Sequence, residues 1–121
     1  EESEFNEAVD GVFEALELAL DEVEEDLDYV AGGGVLTVTF ENGTQLVFSR
    51  QPPTRQLWLA ARSGGFHFCF DEAVGDWRNT RDGQLFRPFV VEQMRAQGGD
   101  ILRGGNDYSA LSRVLGCGLL A

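Results

Sequence analysis

Seven carboxylates, those of Glu7, Asp10, Glu14, Glu17, Asp21, Glu24 and Glu25, share one sector of a helical projection drawn at about 100° per residue. Asp10 and Glu14, Glu17 and Asp21, and Asp21 and Glu25 are spaced i, i+4, and each like-charge pair of this kind costs roughly 0.2–0.5 kcal/mol. Glu24, Glu25, Asp26 and Asp28 add charge at the end of the same helix, where the macrodipole already disfavours it. A bound cation or a basic partner would relieve the repulsion. Oxygen-only ligands suit hard ions such as Ca2+, Mg2+, Mn2+, Fe2+ and Fe3+. No closed coordination loop is present, so binding is expected to be weak and spread over several sites. A solvated, solubilising face is the competing reading of the same pattern.

A second set of residues suggests docking. In the segment Gln56 to Ala61, Leu57 and Leu59 take the core parity, which turns Trp58 to the opposite face. His67 points outward by the same argument, and Thr37 and Thr39 join them. An uncovered face bearing a Trp is a candidate binding anchor. Covalent chemistry has little support: there is no nucleophile elbow, HExxH, Walker loop or GxGxxG. Cys69 and Cys117 lie outside any CxxC spacing and are expected to be buried or half-buried free thiols in a reducing compartment.

Charge narrows the partners. Of 121 residues, the first 49 contain no Lys or Arg and carry fourteen acids, whereas residues 50–121 hold nine Arg against seven acids. An acidic body with scattered Arg repels phosphate, which argues against nucleic acid. The longest apolar run falls far short of the roughly 20 residues of a membrane span, so a soluble protein without a membrane role is expected. The chain has the length of one domain, 1–121, with a core over 3–99.

These residues need elements to hold them. Phe5, Val9, Val12, Phe13, Leu16, Leu20 and Val23 recur at helical spacing and predict a helix over 3–25, with Ser3 as its N-cap. Leu36, Val38 and Phe40 then alternate with polar residues, and Asn42-Gly43 reads as a two-residue hairpin turn. The glycines at 32–34 read as a hairpin connection. Strands follow at 45–50, 56–61, 66–71, where Phe66, Phe68 and Phe70 share a face, and 77–79. Asp82-Gly83 introduces a second helix over 84–97. The order predicts an α+β, two-layer sandwich with two helices on one face of a five- to six-stranded antiparallel sheet. The tail, 100–121, with Tyr108, Leu111, Val114 and Leu115 at helical spacing, is expected to cover the helix pair.

The runs Gly33-Gly34-Val35-Leu36-Thr37-Val38-Thr39-Phe40-Glu41-Asn42-Gly43, Arg50-Gln51-Pro52-Pro53, Gln56-Leu57-Trp58-Leu59-Ala60 and Gly64-Gly65-Phe66-His67-Phe68 resemble the frataxin family, above all its bacterial CyaY-type members, over about 3–97. The resemblance implies an iron-binding protein of iron-sulfur cluster assembly that acts on a complex of cysteine desulfurase and scaffold protein, with a role as iron chaperone. It assigns Fe2+ or Fe3+ to Glu14, Glu17, Asp21, Glu22, Glu24, Glu25, Asp26 and Asp28. Partner contact is assigned to the Trp58 surface together with Arg50 and Gln51. A monomer is expected, with iron-dependent oligomers as an option. The competing readings are a ferroxidase or iron-storage protein and an acidic interaction module without a metal role. Ser49 stands where the family usually has Asn, and the loop 71–76 and the tail are longer than in a typical bacterial member. The tail and the missing initiator Met point to a mature protein of the mitochondrial matrix, the bacterial cytoplasm being the alternative.

Overall fold

The computed structural model describes residues 2–21, 27–40 and 42–98. Helix α1 (Glu2–Asp21) leads into six strands, β1 (Leu27–Gly32), β2 (Val35–Phe40), β3 (Gln45–Gln51), β4 (Gln56–Ala61), β5 (Gly64–Asp71) and β6 (Asp76–Asn79), and α2 (Phe86–Gly98) follows. Every strand pairs antiparallel with its neighbour in sequence, so the sheet is a meander. The fold is the expected α+β sandwich, with the sixth strand present. No described helix is long and apolar enough to cross a membrane.

Alternation decides which face of the sheet is covered. Leu36, Val38, Phe40, Leu46, Phe48, Leu57, Leu59, Phe68 and Trp77 are buried, and they meet Phe5, Val9, Val12, Leu16 and Leu20 of α1 and Phe86, Val90 and Met94 of α2. Phe86 stands edge-on to Phe48 at 6.0 Å and to Phe68 at 5.1 Å, while Phe5 stands edge-on to Trp77 at 5.8 Å. Both helices therefore lie on one layer. The other face of the sheet has no helix over it among the described residues.

Several boundaries differ from the expectation, each for a local reason. Helix α1 starts at Glu2, so Ser3 lies inside its first turn instead of capping it. The connection from β2 to β3 is longer than two residues, because the Asn42 side chain accepts from the Thr44 amide and hydroxyl at 3.0 and 2.7 Å and closes its own turn. The β1–β2 hairpin does turn on Gly33 and Gly34, at φ 63° and 82°, a conformation that favours glycine at both positions. Helix α2 starts at Phe86, later than expected, because Gln84 and Leu85 pair back on β6 instead: the Asn79 amide donates to the Gln84 carbonyl at 2.8 Å. Val23 and the tail from 100 to 121 lie outside the described residues, as does Cys117.

Asp76 fixes the start of α2 to the sheet. Its side chain is buried, accepts from the amides of Trp77 at 2.8 Å and Arg87 at 3.2 Å, and pairs with the Arg87 guanidinium at 3.6 Å. Burial pushes its pKa above the ordinary 3.8 and outweighs the hydrogen bonds and the Arg charges that pull it down. Between 3.8 and the raised value the folded state holds more protons on this group than the unfolded state. Its contribution to stability therefore declines as pH rises through that interval and is constant above it. Asp76→Asn cannot titrate, and the other carboxylates cancel in a comparison. The stability of the native protein minus that of Asp76→Asn, read from urea melts, is expected to fall from pH 3.5 upward and then level off. A difference that rises with pH instead would reverse the sign of this assignment.

Candidate cation stripe and docking face

Helix α1 presents Glu7, Asp10, Glu14 and Asp21 to solvent and leaves Glu17 half-buried beside them. The stripe is held in place because Val9, Val12, Leu16 and Leu20 anchor the opposite side of the helix in the core. At its lower end the Tyr29 hydroxyl of β1 donates to Asp21 Oδ1 at 2.6 Å. At its upper end Arg50 Nη2 donates to Asp10 Oδ1 at 2.5 Å, and Nη1 donates to Asn6 Oδ1 at 3.1 Å. The stripe thus has a basic neighbour that local sequence did not reveal. A groove of about 400 Å³ runs between α1 and the β1–β2 hairpin, lined among others by Asp10, Phe13, Glu14, Glu17 and Arg50.

The expected metal residues separate into three groups. Glu14, Glu17 and Asp21 share the exposed side of α1. Glu22, Glu24, Glu25 and Asp26 lie outside the described residues. Asp28 is opposite Thr39 in the β1–β2 register, on the parity opposite to Tyr29, so it faces the open side of the sheet and does not extend the helix stripe. Among the described residues no three His, Cys, Asp or Glu side chains converge on one point. The arrangement offers hard oxygen donors along a surface rather than an enclosed centre.

The open face centres on Trp58. Its indole lies parallel to the His67 ring, with centroids 4.2 Å apart and planes 13° apart, and its Nε1 donates to Gln56 Oε1 at 2.7 Å. Ser49 is opposite Trp58 in the β3–β4 register, and Gln51 Nε2 donates to Ser49 Oγ at 3.2 Å. Thr37 and Thr39 continue the face across β2, where Gln45 Nε2 donates to Thr39 Oγ1 at 3.1 Å. Cys69 is also on this face, exposed, with Gln56 Nε2 at 3.9 Å from its sulfur. It is not the buried or half-buried thiol that its type suggested.

Arg50 does not belong to this face. It has the parity of Leu46 and Phe48 and reaches toward α1, whereas its neighbour Gln51 points the other way. The period-two pattern of β3 already contained that assignment. Gln56, which orients Trp58, was not singled out, although its i, i+2 spacing to Trp58 puts both on one face. Beyond Cys69, Arg78 joins β6 to β5 through Asp71 at 2.7 Å and to the Gly83 carbonyl at 3.0 Å. The hydrogen bond from Arg78 is the main reason the Asp71 carboxyl is held below its ordinary pKa.

Residues 1–100 match the model of the frataxin-like domain. The iron-sulfur cluster assembly protein CyaY of Pseudomonas aeruginosa is 48% identical over 99 residues, which cover 82% of this chain and 92% of that protein. CyaY of Stutzerimonas stutzeri is 45% identical over 101 residues, covering 84% and 92%. Among solved structures, the frataxin of Psychromonas ingrahamii superposes with a TM-score of 0.73 at 34% identity, over 80% of this chain and 90% of that one. The trimeric frataxin of Saccharomyces cerevisiae, complexed with ferrous iron, gives 0.65 at 26% identity, over 75% and 85%. Sequence, fold and motif order agree, and the chain belongs to the frataxin family.

Proposed function

We propose that this protein is an iron-binding accessory factor of iron-sulfur cluster assembly, which carries iron as cargo on α1 and docks on a cysteine desulfurase–scaffold complex through the Trp58 face. The observation that carries this reading is the separation of the two surfaces. Hard oxygen donors line the exposed side of the helix layer, and an aromatic and amide platform centred on Trp58 lies on the other side of the sheet. A cation can therefore be held while the platform is engaged. Relatives named for iron-sulfur cluster assembly and a yeast neighbour complexed with ferrous iron support the choice of iron and of this pathway. The donor set fits, since carboxylates suit both Fe2+ and Fe3+. Bacterial relatives favour the bacterial cytoplasm over the mitochondrial matrix as its setting.

Anaerobic titration with Fe2+, followed through backbone amide signals, tests the cargo site. Selective perturbation of Glu14, Glu17 and Asp21 is expected, and uniform or absent perturbation would favour an acidic interaction module. Glu14→Gln combined with Glu17→Gln is expected to weaken Fe2+ binding severalfold. The same double variant is expected to be more stable without metal by about 0.5 kcal/mol, because it relieves the i, i+4 repulsions with Asp10 and Asp21. Thermal melts of the iron-free proteins read the second effect. A loss of both binding and stability would mean that the carboxylates serve the fold.

A further inference from the structure

We propose that Arg50 is an internal competitor for the cation stripe: its guanidinium occupies the Asp10 end of the α1 groove, restricts metal to Glu14, Glu17 and Asp21, and lowers the affinity of those residues. The inference rests on the cation-binding reading above and concerns what limits that site.

The geometry begins with strand parity. Arg50 is at the end of β3, on the side of Leu46 and Phe48, and its backbone is fixed to the hairpin glycines by the bond from its amide to the Gly34 carbonyl at 2.9 Å. The side chain is only 23% exposed. Its guanidinium carbon lies 5.9 Å from the centre of the Phe13 ring, its two terminal nitrogens are taken by Asn6 and Asp10, and Nε is buried with no hydrogen-bond partner among the described residues. This is a positioned cation, not a flexible surface arm. It shares one groove of about 400 Å³ with Asp10, Glu14 and Glu17. A metal ion that took Asp10 as a ligand would have to displace it, leaving a partly buried guanidinium without its carboxylate. A metal ion at Glu14 and Glu17 would experience its charge directly. A unit charge about 8 Å from a divalent ion changes affinity roughly three- to tenfold even when the medium between them screens as strongly as bulk water.

The test compares the native protein, Arg50→Gln and Arg50→Lys, each titrated anaerobically with Fe2+ and followed by calorimetry and residue-resolved amide signals. Arg50→Gln keeps a donor for Asn6 and removes the charge. It is expected to bind Fe2+ roughly three- to tenfold more tightly, with perturbations extending to Asp10. Arg50→Lys, which retains the charge, is expected to keep the native affinity and pattern. An Arg50→Gln titration indistinguishable from native, with perturbations still centred on Glu14 and Glu17, overturns the competitor role while leaving the cation site standing. Equal changes in Arg50→Gln and Arg50→Lys would also overturn it, because they would indicate a packing role. Absence of stripe perturbation in all three proteins removes the cation site itself, and the competitor with it.

Discussion

Trp58→Ala is expected to weaken association with a reconstituted cysteine desulfurase–scaffold complex by about 30-fold or more, while the isolated protein keeps its fold. Interface hot spots cost about 2 kcal/mol or more on truncation to alanine, and tryptophan is enriched among them. Trp58 also satisfies the entropic condition for a hot spot. Its ring is already fixed between the His67 stack and the Gln56 hydrogen bond, so little rotamer freedom remains to be lost on binding. The neighbours Ser49, Gln51 and Gln56 are uncharged, so docking does not require stripping water from an ion. The stability cost should be small, because the indole is half-buried on the open face and contributes nothing to the layer between sheet and helices. Titration calorimetry or surface binding gives the affinity, cluster assembly rate gives the consequence, and a thermal melt checks folding. His67→Ala, which removes the stack but leaves the anchor, is expected to cost only a fewfold. Unchanged affinity for Trp58→Ala would remove this face from the docking model.

The same residues illustrate how far sequence alone carries. The parity that buries Leu57 and Leu59 also exposes Trp58, and the run Phe66, Phe68, Phe70 leaves His67 and Cys69 on the other side. These follow from the two-residue period of a strand and need no tertiary information. The acids of α1 are legible in the same way from the helical period. What was not legible depends on which distant segments meet. Arg50 reaches Asp10 across 40 positions, and the pair forms only because the end of β3 runs beneath the first half of α1. Asp28 looked like a continuation of the stripe because it follows it in the chain. The hairpin at Gly33–Gly34 instead sets a register in which Tyr29 faces the helix and Asp28 faces away. Asp76 resembled a loop acid, yet it becomes buried where the edge strand β6 meets the start of α2. Periodicity assigns faces within an element, whereas register and layer contacts decide which charges become neighbours.

Trp77 supports the second large prediction, which concerns the support beneath both surfaces. It is fully buried on β6, with Phe5 of α1 at 5.8 Å and Phe70 of β5 at 5.3 Å around its ring. It therefore connects the start of the stripe-bearing helix to β5, the strand that carries His67 and Cys69. Trp77→Ala is expected to cost about 3–5 kcal/mol through lost burial and the cavity left behind. For a domain of this size that lowers the melting temperature by about 15 °C or more. It is a large share of the 5–15 kcal/mol typical of a whole domain. The indole also carries a cost of its own. Its Nε1 is buried and has no hydrogen-bond partner among the described residues, and a buried donor left unpaired costs about 1–3 kcal/mol. Trp77→Phe keeps an aromatic ring against Phe5 and Phe70 and removes that donor, so its loss of volume is partly offset. It should retain most of the stability that Trp77→Ala loses, with a deficit of about 1–2 kcal/mol or less. Urea melts of the three iron-free proteins measure the ordering. If Trp77→Phe were as unstable as Trp77→Ala, Nε1 would have to make a bond that the fold relies on, and the packing argument would fail for this residue.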